Sequence, residues 1–260
     1  MAVLTLLTDF GTRDYYVAAV KGTVLRLAPG TQIVDLSHEV APGDVAGASF
    51  LLAAAAPAFP AGTLHLAVVD PGVGGERHIV AVETPGGRFL APDNGLLTPW
   101  LDRATARRVE RPDLYLPAPG STFHGRDRFA PAAAFLLSGG QAGDLGPVLE
   151  RPVRLVAAPP RREPRRLSGR VVHVDRFGNL VTDIPSAWLP EGAIEARVGR
   201  RTVRRRASHY ACLAPGEAAL LPGSLGTLEL AANGDDLARR WGVGRGAPVE
   251  IRLGSPVEDR

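Results

Sequence analysis

Five short segments hold most of the side chains able to do chemistry: Thr8-Asp9-Phe10-Gly11, Asp35-Leu36-Ser37-His38, Asp70-Pro71-Gly72-Val73-Gly74-Gly75-Glu76-Arg77, Pro92-Asp93-Asn94-Gly95 and Phe123-His124-Gly125-Arg126-Asp127. The first three each follow an apolar run that reads as a buried strand. In open parallel sheets, ligands bind beyond the carboxyl ends of the strands. Carboxylates, an imidazole and a guanidinium gathered there can move a proton and hold a polar substrate. Taken singly, each has a plainer reading. An aspartate after a strand caps a helix or forms a turn, and His38 and His65 read as structural. VDPGVGG is neither GxGxxG nor a P-loop, and no HExxH or spaced His/carboxylate set implies a metal. What favours a site is the convergence of polar strand ends on one edge of one sheet.

The elements that must position these residues alternate along the first half of the chain. Residues 3–8, 32–36, 63–69, 78–82 and 88–91 read as strands. Residues 15–27 have apolar positions at helical spacing and stop at Pro29-Gly30. Residues 44–56 form an alanine-rich helix with Asp44 as its N-cap and Pro57 at its end. HGRD reads as a further helix start, with Asp127 near the cap and Pro131 in the first turn. Strand, helix, strand, helix, strand is the pattern of a parallel sheet covered by helices. A stretch rich in proline and arginine, 157–166, reads as an extended linker. Beyond it come short strands at 168–174, 193–198, 217–221, 226–230 and 249–253, with one helical stretch at 235–241. The expected fold is therefore α/β: a Rossmann-like N-terminal domain with a mostly parallel sheet (1–156), the linker (157–166), and a small antiparallel β-barrel (167–260).

Composition excludes several classes. In 260 residues, 45% hydrophobic and 22% charged side chains are globular values, incompatible with a disordered or fibrous chain. Cys212 is the only cysteine, which rules out a disulfide framework and cysteine-cluster zinc sites. Lys21 is the only lysine among 30 basic residues, and the net charge is +3. The arginine clusters at 161–166 and 200–206 are short and lack interleaved aromatics, so no nucleic-acid partner is expected. No apolar run is long enough to span a bilayer, and the N-terminus lacks a basic leader. A cytoplasmic protein without membrane contact is the expectation.

Five ordered motifs, TDFG, VDPGVG, PDNGLL, FHGRD and VDRFGN, resemble those of the S-adenosyl-L-methionine hydroxide adenosyltransferase family, relatives of the bacterial fluorinase and chlorinase. The resemblance covers nearly the whole chain. It implies a homotrimer whose active sites lie between the N-terminal domain of one subunit and the C-terminal domain of its neighbour. The implied reaction converts S-adenosyl-L-methionine and water to adenosine and L-methionine. The family's catalytic trio maps onto Asp70, Arg77 and His124, and its ribose ligand onto Asp9. Asp175 is implied for the methionine amine, and Phe177 and Asn179 for the purine. Ser224, in GSLGTLEL, is implied for the methionine carboxylate, although Pro222-Gly223 and Leu225 depart from the usual pattern there. A sulfonium leaves without acid assistance, so the chemistry needs only an activated water, and no metal or organic cofactor is expected. Two alternatives stand beside it. Halogenating members replace the acid at position 70 with an aromatic or small residue and carry serine at the position of Gly125, and the span between Ile79 and Pro92 is too short for the fluorinase's long insertion. A non-catalytic protein that binds adenosine or S-adenosyl-L-methionine is the second.

Overall fold

The computed structural model describes residues 2–117 and 120–254, in two compact units divided after Val156. The first unit holds β1 (Val3–Thr8), α1 (Tyr16–Leu27), β2 (Gln32–Ser37), α2 (Val45–Ala55), β3 (Leu64–Val68), β4 (Ile79–Thr84), β5 (Gly87–Pro92), β6 (Ala106–Arg108) and α3 (Ala130–Leu137). Its sheet has the order β2-β1-β3-β5-β4-β6, and only β4 runs against the others. Both faces are covered, which explains the near-continuous apolar strands. Leu4 and Leu6 of β1, with Leu64 and Leu66 of β3, pack beneath Val17, Val20 and Val24 of α1 and the alanines of α3. Leu7, Ala67, Val80 and Val82 point the other way, onto Ala48 and Leu52 of α2. Asp44 caps α2 as expected, accepting a bond from Gly47 N at 2.8 Å.

The second unit holds β7 (Arg161–Glu163), β8 (Arg166–Val174), β9 (Leu180–Pro185), β10 (Ile194–Val198), β11 (Arg201–Val203), β12 (Ala218–Pro222), β13 (Thr227–Ala232), α4 (Leu237–Trp241) and β14 (Pro248–Leu253). Every pairing between these strands is antiparallel, in the order β11-β10-β14-β8-β9-β13-β12. The chain just after β11 then bonds to β12: Leu220 N donates to Arg205 O at 2.9 Å, and Ala207 N to Leu220 O at 3.1 Å. These contacts nearly close the sheet into a barrel around Leu167, Val171, Ile184, Ala196, Leu228, Leu230 and Ile251. Gly169 marks where β8 turns its pairing from β14 to β9, since a Cβ there would collide with Asp183 and Ile184.

Three expectations are corrected. Residues 157–166 are not all linker, because β7 within them pairs with the start of β8 in a hairpin. Asp127 is not a helix cap. The chain from Gly125 to Phe129 forms a π-helical turn leading into α3, and Asp127 pairs with Arg126 at 2.6 Å. Third, β6, β9 and β11 were absent from the expected strands.

Candidate active site

Asp70 lies just past β3, where the chain makes two tight turns: Val73 N donates to Asp70 O at 3.2 Å and Gly75 N to Gly72 O at 3.0 Å. This glycine-rich reversal brings Arg77 back beside Asp70. Arg77 Nε donates to Oδ1 at 3.0 Å and to Oδ2 at 2.9 Å, and Nη2 also bonds Oδ2. The same Nη2 lies 2.8 Å from His124 Nδ1. A guanidinium only donates, so His124 Nδ1 accepts and its neutral ring carries the proton on Nε2. His124 is buried, and its Nε2 has no partner among the described residues. Burial, reinforced by the Arg128 and Arg77 cations against the pull of Asp70 and Asp127, holds its pKa below the usual value and keeps it neutral at pH 7. Asn94, from the PDNG segment, donates Nδ2 to Val69 O at 2.9 Å and so secures the chain immediately before Asp70.

Asp70 and His124 share a cleft of about 420 Å³ with Asp9, and Phe10, Tyr15, Tyr16 and Phe123 form its aromatic wall. Tyr16 meets Phe123 edge-on at 5.0 Å, and Tyr15 stacks on Tyr16 at 4.6 Å. Asp9 Oδ2 accepts from Gly43 N at 2.8 Å, while Oδ1 accepts nothing among the described residues. Gly125 is closely approached. A Cβ there would sit 3.2 Å from Phe10 Cζ and 3.4 Å from Phe123 Cε2, so a serine requires the rings to shift.

The second unit carries its own cleft, of about 540 Å³, lined in part by Asp175, Phe177, Asn179, Tyr210 and Asp235. Asp175 organises this loop. Its Oδ1 accepts from Phe177 N and Asn179 N, both at 2.9 Å, and its Oδ2 accepts from Asn179 Nδ2 at 2.8 Å. Phe177 stands exposed at the mouth, whereas Asn179 is buried. Tyr210 hydrogen-bonds to the buried Glu229, and burial together with that bond raises its hydroxyl well above the usual tyrosine range.

The structure thus brings Asp70, His124 and Asp9 together in one cleft, with Arg77 bonded to Asp70 and His124, and Asp175, Phe177 and Asn179 in another. Ser224 is not among the residues lining either. It lies exposed in the turn between β12 and β13. Sequence reasoning assigned no role to Asn94, Tyr210, Glu229 or Arg128. Asn94 lay in a motif already singled out, but nothing marked the other three. No group of three or more His, Cys, Asp or Glu side chains among the described residues is placed to hold a metal ion. No helix among them is long and apolar enough to cross a membrane.

Residues 4–146 match the SAM hydroxide adenosyltransferase N-terminal domain, and residues 169–250 match the C-terminal domain of the same family. The chain belongs to that family. A protein of Thermus thermophilus named (R)-S-adenosyl-L-methionine hydrolase is 40% identical, over 96% of this chain and 100% of its own length. The crystal structure of an uncharacterized conserved protein from Thermotoga maritima superposes with a TM-score of 0.90 at 35% identity, over 96% of this chain and 99% of that one. A fluorinase of an Actinoplanes species is more distant, at 28% identity over 74% of each chain.

Proposed function

We propose that this protein hydrolyses S-adenosyl-L-methionine, in the R configuration at sulfur that the name of the Thermus thermophilus relative specifies, to adenosine and L-methionine. The observation that carries the reading is the coupled Asp70–Arg77–His124 unit at the edge of an aromatic cleft that also holds Asp9. A water there can accept the Nε2–H of His124 and donate one proton to Asp70, which leaves a lone pair free to attack C5′. The O–C5′ bond forms as the C5′–S bond breaks, the bonding pair leaves with sulfur as the methionine thioether, and Asp70 takes the proton. Arg77 holds Asp70 and His124 in register. Because His124 accepts from Arg77 through Nδ1 and is already protonated at Nε2, the role of proton acceptor falls to Asp70. Asp9 binds the ribose hydroxyls through its free oxygen.

In this reading the second unit recognises the rest of the substrate. Phe177 stacks on the purine, Asn179 Oδ1 accepts from an amino group, Asp175 and its loop serve the methionine amine, and Ser224 serves the carboxylate. The first cleft of one subunit and the second cleft of a neighbour then complete each site in a cytoplasmic homotrimer. No metal or organic cofactor takes part. The crowding of Gly125 by Phe10 weighs against a halide site that needs serine at that position.

The test is incubation of the purified protein with each sulfur epimer, with and without chloride or fluoride, followed by chromatography. Adenosine from the R epimer, unchanged by halide, supports the reading. A 5′-halogenated nucleoside, or no turnover of either epimer, rejects it.

A further inference from the structure

The loop that carries Asp9 and Phe10 into the first cleft is fastened from behind by polar side chains that the reaction does not use. Lys21 of α1 donates Nζ to Asp35 Oδ2 at 2.6 Å, and Asp35 Oδ1 lies 3.1 Å from His38 Nε2. His38 Nδ1 lies 2.8 Å from Thr8 Oγ1, which in turn accepts Phe10 N–H at 3.3 Å. The backbone of His38 adds a second tie, its oxygen accepting Gly11 N–H at 2.8 Å. Thr8 and His38 are buried, so the bond between them is shielded from water, whereas the Lys21–Asp35 pair stands partly exposed. Lys21 points to Asp35, His38 Nε2 faces Asp35 Oδ1 at ion-pair distance without making a hydrogen bond, the Thr8 hydroxyl lies within bonding reach of His38 Nδ1, and its oxygen accepts from Phe10.

A β-bulge builds this geometry. Residues three apart on a regular strand face opposite ways. Here Leu6 pairs with Asp35 and Leu7 with Ser37, so Leu36 is an extra residue without a partner on β1. One inserted residue reverses the alternation, and Asp35 and His38 come to lie on the same side. Composition provides a separate indication. The chain uses arginine for every other basic residue, yet its one lysine stands here. A compact ammonium serves a single carboxylate oxygen without the width of a guanidinium fork.

We propose that Lys21, Asp35, His38 and Thr8 are positioning residues that hold Asp9 and Phe10 in the geometry that binds the substrate's ribose. The proposal rests on the reading of Asp9 as the ribose ligand.

The experiment uses the full chain. kcat and KM for S-adenosyl-L-methionine, and the affinity for the substrate and its 2′,3′-dideoxy analogue, are measured for wild type, Thr8→Val, Thr8→Ser and Lys21→Gln. Thr8→Val, which strands His38 Nδ1 and Phe10 N–H, is expected to raise KM about tenfold and leave kcat within about twofold. The wild-type preference for the ribose-bearing ligand should shrink by the same factor. Thr8→Ser should restore both values. Lys21→Gln, at a partly exposed position that folding tolerates, should move KM and the preference the same way by about threefold. If wild type, Thr8→Val and Lys21→Gln prefer the ribose-bearing ligand equally, whatever happens to Tm, the four residues are merely structural and the proposal fails while Asp9 keeps its role. If wild type shows no preference, the ribose role of Asp9 fails and the proposal fails with it.

Discussion

Replacing Arg77 with lysine separates geometry from charge at the centre of the site. Arg77 spans two partners: Nε and Nη2 together grip the Asp70 carboxylate, and Nη2 also reaches His124 Nδ1 at 2.8 Å. A lysine keeps the positive charge and can meet one carboxylate oxygen, but a single ammonium cannot reproduce the fork and the bridge together. Arg77→Lys therefore loses the bond to His124 and at least one bond to Asp70, each charge-assisted bond being worth ~1.5–3 kcal/mol. If only one of these acts in the transition state, kcat should fall roughly 10- to 100-fold. His124 is then free to take the other tautomer, which removes the Nε2–H donor that would hold the attacking water. KM should stay near wild type, because the ribose and purine contacts lie elsewhere. Stability should drop by about 3 kcal/mol, the lower end of what two such bonds contribute, since the buried carboxylate keeps a cation beside it. Adenosine release followed by chromatography gives kcat and KM, and thermal denaturation gives the stability. A folded Arg77→Lys protein with kcat within about threefold of wild type would refute the bridging role.

Asp9→Ala should raise KM about 10- to 100-fold with little change in kcat, because a carboxylate-to-hydroxyl bond is charge-assisted; steady-state kinetics checks this. Gly125→Ser should displace Phe10, cost about 1 kcal/mol in denaturant unfolding, and raise KM severalfold without any halogenated product appearing in chloride. His65 should make the first unit acid-sensitive. Burial on β3, against Phe89 of β5, lowers its pKa from 6.5 to about 4, so between those values the unfolded chain binds a proton that the folded chain refuses. This group's contribution is full above pH 6.5 and falls by about 3 kcal/mol as pH drops to about 4; denaturant titrations of wild type and His65→Gln should show the steeper slope in wild type.

Much of the first unit was legible because its chemistry follows strand ends. Asp9 and Asp70 come directly after β1 and β3, and the capped α2 begins where Asp44 announces it. The bridge from Arg77 to His124 was not legible as geometry, because 47 residues separate the partners and only the folded sheet edge brings them together. His38 read as structural for a related reason: its contact with Asp35 depends on a bulge set by register against β1, and register is not written in β2 alone. β9 escaped notice because Asp183 and Pro185 break up its apolar run; in the fold, Asp183 turns its carboxylate to the Arg170 amide at the bend of β8. β7 hid inside a composition typical of linkers, since a three-residue edge strand of charged side chains has no apolar alternation to display. Asp127 went to an ion pair because the chain enters α3 through a π turn, which leaves no ordinary capping position.

The barrel comes near to closing through a narrow seam. Its other strand pairs are joined by ladders, but between the chain after β11 and β12 only two main-chain bonds among the described residues, Leu220 N to Arg205 O and Ala207 N to Leu220 O, draw the edges together. A barrel-like sheet opens first where it is held by the fewest bonds, and such openings can occur far below the free energy of global unfolding. The strand segment at this seam runs on within three residues to Tyr210, which forms a wall of the second cleft and contacts Glu229 and Asn179. Breathing of the barrel and reshaping of that cleft are therefore one event. The amide hydrogens of Ala207 and Leu220 should exchange with solvent ahead of the neighbouring ladders, and a ligand that packs against Tyr210 should slow them although it touches neither.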